Sequence, residues 1–137
     1  MEFTLNIGEG TIELDSDQVK NIQFRTEIPH DSNTREATHG AYIKVWGTIP
    51  FELDSTTCDP TLSIALWSQL PDHALDYYRN VVATIASSKH TIREFMLPNA
   101  FVVEYSESLD QTGLGEFYLH LKQRTDSTTH VAVSRRF

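Results

Sequence analysis

The chain has 137 residues and a single cysteine, Cys58. One thiol cannot form an internal disulfide, and a metal site built on cysteines is strongly disfavoured for the same reason. Cys58 stands in the segment Thr-Thr-Cys-Asp-Pro, which contains no base that would activate it as a nucleophile. We therefore expect an inert thiol in a protein that folds without disulfides.

Long apolar runs are also missing. The longest uncharged stretch, residues 60–71, has twelve residues and includes proline, serine, threonine and glutamine, whereas a bilayer span needs about 20 apolar residues. Residue 2 is glutamate, where a secretory signal would carry bases, and no apolar segment follows it. The sequence thus predicts a protein without a membrane span that is cytoplasmic before any assembly.

Positive charge is scarce in this chain. The 11 Lys and Arg residues are outnumbered by 19 Asp and Glu, and the formal net charge is −8, with no basic block to offset it. A surface that binds nucleic acid by neutralising phosphates is therefore disfavoured. Hydrophobic residues make up 39% of the chain, which suits one domain over residues 1–137 with a lean core.

Motifs of common enzymes are absent as well. No two of the six histidines have the helical spacing and intervening glutamate of a zinc protease, and no serine lies in a Gly-x-Ser-x-Gly segment. His30 and His39 in a polar stretch, and the carboxylates Glu104, Glu107 and Asp110, are the remaining candidates, and solvated side chains explain them more simply. We predict no catalytic residue, no cofactor and no metal site.

Side chains alternate between apolar and polar over most of the chain, as half-buried strands require. The prediction is a mainly β domain, an antiparallel β-sandwich or barrel of about eight strands with one short helix. The Pro98-Asn99 pair is expected to interrupt the strand ladder between two of these strands. The predicted strands include residues 3–7, 12–14, 22–24, 41–46, 81–85, 92–97, 101–105, 117–121 and 131–133.

One predicted strand has two apolar faces of different kinds. Ala41, Ile43 and Val45 form an aliphatic face, while the alternate positions carry aromatic and basic side chains. Trp46 lies on that second face, where a monomer would not expose it. We expect Trp46 either to contact another subunit or to be buried under the helix.

The helix is expected between residues 60 and 79. Asp59 can cap it and Pro60 can begin it, and Pro71 ends the first segment. The spacing also predicts a short helix over residues 72–78, across one end of the barrel. Alternation within residues 62–66 is equally compatible with a strand. In a helix, one face carries Leu62, Ala65, Leu66, Gln69 and Leu70.

Two polar stretches, residues 29–39 and 125–130, exceed the two to five residues of an ordinary hairpin loop. The first is too polar to pack on its own core, so it is either a mobile surface loop or a contact segment. In the second case Asp31, Arg35 and Glu36 would supply charged contacts to another subunit.

Three segments carry a resemblance to a known family. Residues 78–85, 93–107 and 115–124 resemble the C-terminal half of the tube proteins of contractile injection systems, which include the haemolysin-coregulated protein of type six secretion and phage tail tube proteins. The shared pattern is a strand, a polar turn, a strand ending at an Asn-Ala corner, a strand with aromatic ends and a final core strand. The chain also resembles short bacterial proteins labelled as membrane-associated proteases, but its sequence contains neither a membrane segment nor a protease motif.

The tube-protein resemblance implies a structural subunit that forms rings, hexamers in the expected case, which stack into the inner tube of a phage-tail-like contractile injection system. It also implies sheath, baseplate or spike proteins as partners, and a place in a phage-tail-like or secreted particle. The alternative is a monomeric or dimeric β-barrel that binds a ligand or protein through Trp46, Trp67 and the 29–39 stretch. Carboxylates facing a tube lumen and simple solubility explain the acidity equally well.

Overall fold

A computed structural model describes residues 1–27, 40–49, 60–88, 90–124 and 132–134. These ranges contain one helix and a set of strands that are mostly nine residues or shorter. The elements are β1 (Glu2–Ile7), β2 (Ile12–Leu14), β3 (Val19–Glu27), β4 (Gly40–Thr48), α1 (Pro60–Ser68), β5 (Arg79–Ser87), β6 (His90–Leu109), β7 (Gly115–Gln123) and β8 (Ala132–Ser134).

The strands form one antiparallel sheet in the order β2-β1-β5-β6-β7-β4-β3, and β8 pairs with β6 outside this path. Contacts between β1 and β3 bring the two ends of the sheet towards each other, as in a barrel. Alternate residues of β1, β4 and β7 are buried and form one hydrophobic core. The predicted fold class, mainly β and antiparallel with one short helix, is confirmed.

Strand β6 is longer than its sequence predicts. Pro98-Asn99 interrupts the ladder with β5, as predicted, but the pair does not end the strand, because β6 runs unbroken from His90 to Leu109. Its first half pairs with β5 and its second half with β7, and Pro98 and Asn99 form a bulge between the pairs Val81–Leu97 and Arg79–Ala100. The bulge accommodates both residues because Asn99 adopts a positive φ of 52°.

Helix α1 begins at Pro60 as predicted, and the face that carries Leu62 and Leu66 is not the one that it buries. The buried side chains of α1 are Thr61, Ile64 and Trp67, while Leu62 and Leu66 are 58% and 57% exposed. Trp67 decides the orientation, because burying its ring removes the largest apolar surface on the helix from water. Its indole Nε1 donates a hydrogen bond of 2.8 Å to the backbone carbonyl of Tyr77.

The segment that follows α1 consists of turns rather than the short helix predicted over residues 72–78. The backbone N–H of Ala74 donates to the carbonyl of Pro71 at 3.0 Å, and that of Tyr77 donates to Ala74 at 3.2 Å. Isolated bonds of this kind make successive turns. They lead the chain from α1 into β5 and place the Tyr77 carbonyl beside Trp67.

Candidate assembly surface

The outer face of strands β3, β4, β7 and β6 carries a regular array of basic and aromatic side chains. Directly paired residues of antiparallel strands point to the same side of a sheet, so the strand register defines rows across the four strands. We call this array the basic-aromatic face. Its rows are Arg25, Tyr42, Lys122 and Phe101; Gln23, Lys44, His120 and Glu104; and Asn21, Trp46, Tyr118 and Ser106.

Ring contacts hold the centre of this face together. Trp46 lies against Tyr118 with ring centroids 5.3 Å apart, and Tyr42 meets His120 edge to face at 5.1 Å. The Lys44 ammonium lies 5.5 Å from the centroid of the Tyr42 ring, an arrangement that favours a cation over an aromatic face. Trp46 is half-buried on the outside of the sheet and is not covered by the helix. The tryptophan that α1 packs into the core is its own Trp67.

Charge is unevenly distributed over the described residues. Three cations, Arg25, Lys44 and Lys122, share the basic-aromatic face with one carboxylate, Glu104. By contrast, the first 19 residues contain no Lys or Arg, and their acidic side chains are all exposed. These acids are Glu2, Glu9, Glu13, Asp15 and Asp17. The basic-aromatic face therefore differs in charge from the rest of a chain whose net charge is −8.

Sequence reasoning identified Trp46 but missed the face around it. Tyr42, Lys44 and Trp46 alternate on one strand, and Tyr118, His120 and Lys122 alternate on another. This shared pattern was the available signal. That the two sets lie side by side follows only from the pairing of β4 with β7.

The carboxylates Glu104, Glu107 and Asp110 do not form a paired acid site. Glu107 accepts a hydrogen bond of 2.6 Å from the Tyr105 hydroxyl. Asp110 lies in the β6–β7 turn, where the side-chain hydroxyl of Thr112 donates to its Oδ1 at 2.6 Å. This hydrogen bond, with further bonds from the backbone, holds the pKa of the Asp110 carboxyl below its usual value. Both groups thus have local structural partners.

The remaining sequence candidates are either isolated or outside the described residues. His73 and Asp72 lie 3.7 Å apart, each 84% exposed, so their contact is solvated. Within the described ranges, no group of three or more His, Cys, Asp or Glu side chains could hold a metal ion, and no helix has the length and apolar character needed to cross a membrane. Outside the described residues lie His30, Asp31, Arg35, Glu36, His39 and Cys58.

Comparisons with known proteins give a likeness in structure alone. No family model matches the sequence, and no curated protein matches it. The fold is similar to that of Hcp1 from Flavobacterium johnsoniae, with a TM-score of 0.59 and 12% identity over 100% of this chain and 98% of that one.

Two contractile particles contain similar chains. One comes from the sheath–tube complex of the extracellular contractile injection system PVC, with a TM-score of 0.55 and 11% identity over 97% of this chain and 88% of that chain. The other comes from the tube-terminating cap of the anti-feeding prophage, with a TM-score of 0.54 and 11% identity over 97% and 87%. The resemblance first visible in residues 78–124 is thus confirmed as a likeness of fold: this chain is built like Hcp and the tube proteins of contractile injection systems.

Proposed function

We propose that this chain is a structural subunit that assembles into rings, and that the rings stack into the inner tube of a phage-tail-like contractile injection particle. The observation that carries the proposal is the fold likeness, which spans nearly the full length of both this chain and its structural neighbours.

The geometry of the sheet supports self-assembly. The pairing of β6 with β5 ends at Ala100, and among the described strands residues 101–109 pair only with β7. An exposed strand edge presents backbone N–H and C=O groups to which another chain can add a strand. When such a contact joins different surfaces of two identical subunits, rotation can close it into a ring.

The basic-aromatic face is a second candidate contact. Identical subunits with a charge of −8 repel each other, and clustered cations at the contact reduce that repulsion. Half-buried aromatic residues such as Trp46 also gain more from further burial than polar ones do. We therefore propose Trp46 as a subunit contact.

We further propose that the 29–39 stretch contacts a neighbouring subunit through Asp31, Arg35 and Glu36. The expected ring is a hexamer, its partners are sheath, baseplate or spike proteins, and the subunit is cytoplasmic until it joins the particle. In this role the chain needs neither cofactor nor metal and is not an enzyme.

Imaging of the purified protein tests the proposal. Negative-stain electron microscopy and analytical ultracentrifugation should show rings or tubes for the parent protein. The Trp46→Thr variant should assemble less readily than the parent. Met96→Thr is the control, because Met96 is an exposed apolar residue on the other half of the sheet, and this variant should assemble like the parent. A parent protein that remains a monomer at all concentrations and salts tested would contradict the proposal.

Shortening the 29–39 stretch tests its share in assembly. Replacing residues 31–38 with a short Gly-Ser linker should leave the thermal midpoint of the isolated subunit nearly unchanged, because loop length contributes little to closure entropy. Assembly measured in the same salt should decrease. A second variant keeps the length of the stretch and removes its charges by the substitutions Asp31→Asn, Arg35→Gln and Glu36→Gln. It separates the effect of charge on assembly from the effect of loop length. If both variants assemble like the parent, the stretch is a connector.

The alternative function is a monomeric or dimeric binding module. A groove of about 610 Å³ beside Trp67 favours it, since ligand sites have volumes of this order. A stable monomer that binds a protein or small molecule through Trp46 or this groove would support the module and not the tube.

A further inference from the structure

The groove lies between α1 and the turn that joins β1 to β2. Its lining combines apolar side chains with one cation and two carboxylates. Leu66 is 57% exposed although it lines the groove, so its wall presents an apolar surface to water. Its apolar wall includes Ile12, Leu66 and Leu70, and its charged groups are Glu9, Asp76 and Arg79.

Arg79 gives the groove its positive group. Its guanidinium lies 5.0 Å from the centroid of the Trp67 ring, and its Nε donates to the backbone carbonyl of Asp76 at 2.9 Å. Among the described residues its two terminal nitrogens have no recorded hydrogen bond. Of the two carboxylates, Glu9 accepts a hydrogen bond from the Asn80 side chain at 3.1 Å, and Asp76 attracts the guanidinium from nearby but forms no ion pair with it among the described residues. Arg79 can therefore still pair with a carboxylate that enters the groove.

The β6–β7 turn, in contrast to the groove, forms a projection. Leu109 and Leu114 flank its tip and are 59% and 68% exposed. Oδ1 of Asp110 accepts hydrogen bonds from the backbone N–H groups of Thr112 and Leu114 at 2.9 and 3.0 Å. The tip is thus a rigid projection with two leucines outside, and a preorganised projection loses little entropy when it binds.

The tip cannot enter the groove of its own chain. Asn99, at one end of the groove, is ten residues before Leu109 on the same strand, and Tyr105, whose hydroxyl lies 3.5 Å from the Thr61 carbonyl at the start of α1, is four residues before it. At the usual rise per residue these separations are about 33 Å and about 13 Å. Pairing with β7 throughout this stretch prevents β6 from folding back. Any contact between tip and groove must therefore join two copies.

We propose that the tip formed by residues 109–114 of one subunit inserts into the α1 groove of a second copy. Leu114 packs against Leu66 and Leu70, and the free Oδ2 of Asp110 faces Arg79. This contact joins different surfaces of identical chains, so it propagates from subunit to subunit in one direction. The inference rests on the proposed function, because it names surfaces through which the subunits assemble.

Serine substitutions at exposed leucines test the contact without altering the core. Leu114→Ser in the tip and Leu66→Ser in the groove should each raise the concentration needed for assembly by about tenfold or more, as expected for the loss of one buried leucine. Leu62→Ser is the matched control, since Leu62 lies on the same helix with the same exposure but does not line the groove. It should change that concentration by less than about twofold.

Cross-linking tests the contact directly. In a Cys58→Ser background, a chain with Leu114→Cys should form a disulfide with a second chain carrying Ser63→Cys, because Ser63 lines the groove. A chain with Thr4→Cys, which is exposed on β1 and lies outside both the groove and the basic-aromatic face, should not be captured.

The outcomes separate the inference from the function on which it rests. If the parent forms rings or tubes and both leucine variants do the same at parent concentrations, or if Leu114→Cys captures Thr4→Cys as readily as Ser63→Cys, the tip-to-groove contact is wrong and the tube proposal stands. If the parent forms no assembly, the proposed function fails, and this contact fails with it.

Discussion

Asn80 joins three segments that are far apart in sequence. Its backbone carbonyl accepts from the N–H of Gly8 at 2.8 Å, its side-chain oxygen accepts from the N–H of Asn99 at 3.1 Å, and its side-chain nitrogen donates to Glu9. The second of these bonds gives a backbone N–H at the β6 bulge a partner, and the Asn99 carbonyl accepts from the N–H of Arg124 at 3.0 Å. Asn80 thus helps β6 to continue through the bulge.

Gly47 occupies a position that no larger residue fits. A Cβ atom there would collide with the backbone carbonyl of Gln18 and would lie 2.5 Å from the Phe117 ring. We expect Gly47→Ala to lower the free energy of unfolding by about 1–3 kcal/mol, through forced displacement of packed groups.

Gly40→Ala is the control for this substitution. Among the residues that the structure describes, a Cβ at Gly40 would meet only the Lys122 side chain, at 3.7 Å, which is an ordinary contact. Urea unfolding of the two variants measures the difference, and equal stabilities would contradict the assignment of the Gly47 contact.

The charge state of Asp110 makes the stability of the β6–β7 turn depend on pH. Hydrogen bonds from Thr112 and from the backbone hold the pKa of its carboxyl below the usual aspartate value. Its contribution to stability is therefore fully present above a pH of about 4 and is lost as the pH falls through the lowered pKa. An NMR titration should place the midpoint of Asp110 below that of an ordinary aspartate.

Thr112→Val removes the hydroxyl, which is the largest cause of this shift. We expect the variant to move the Asp110 midpoint up towards the usual value. An unchanged midpoint in the variant would show that the backbone bonds alone hold the carboxylate.

The buried face of helix α1 could not be identified from its sequence pattern. Leu62, Ile64 and Leu66 are similar in hydrophobicity, so the pattern of apolar residues does not distinguish the buried side from the exposed one. The structure buries Ile64 completely and leaves both leucines exposed. The position of Trp67 selects this orientation, because its ring fills the core and its N–H reaches Tyr77.

Alanine substitutions on α1 should show this orientation. Ile64→Ala removes a fully buried side chain and should lower the free energy of unfolding by about 2–5 kcal/mol. Leu62→Ala should change it by less than about 0.5 kcal/mol, since the side chain is already in water. Chemical denaturation of the isolated subunit provides the measurement, and a larger loss at Leu62 than at Ile64 would reverse the assigned orientation.

The whole molecule is expected to be inert towards peptide and ester substrates. The Gly-x-Ser-x-Gly and zinc-protease motifs are absent from the sequence, and the described Asp72–His73 contact is solvated. Purified protein incubated with fluorogenic peptides and esters should release no product above the buffer rate. A hydrolytic activity that one substitution at a serine, a histidine or Cys58 abolishes would contradict the structural role.

The sequence by itself determined the fold class. The two-residue alternation requires strands with one buried side, and it correctly assigned Ile43 and Val45 to the core and Trp46 to the opposite face. It also placed the start of the helix at Pro60. These are local properties, set by the backbone preference and the polarity of neighbouring residues.

Tertiary structure alone decided which strands are neighbours and therefore which side chains meet. The basic-aromatic face exists because β4 pairs with β7, although Lys44 and His120 are 76 positions apart in the sequence. Asn80 helps β6 to continue through its bulge, and the orientation of α1 depends on the space that the sheet leaves for Trp67. Such contacts join residues distant in sequence, and local patterns do not encode their pairing because the energy that selects it comes from burial in the assembled core.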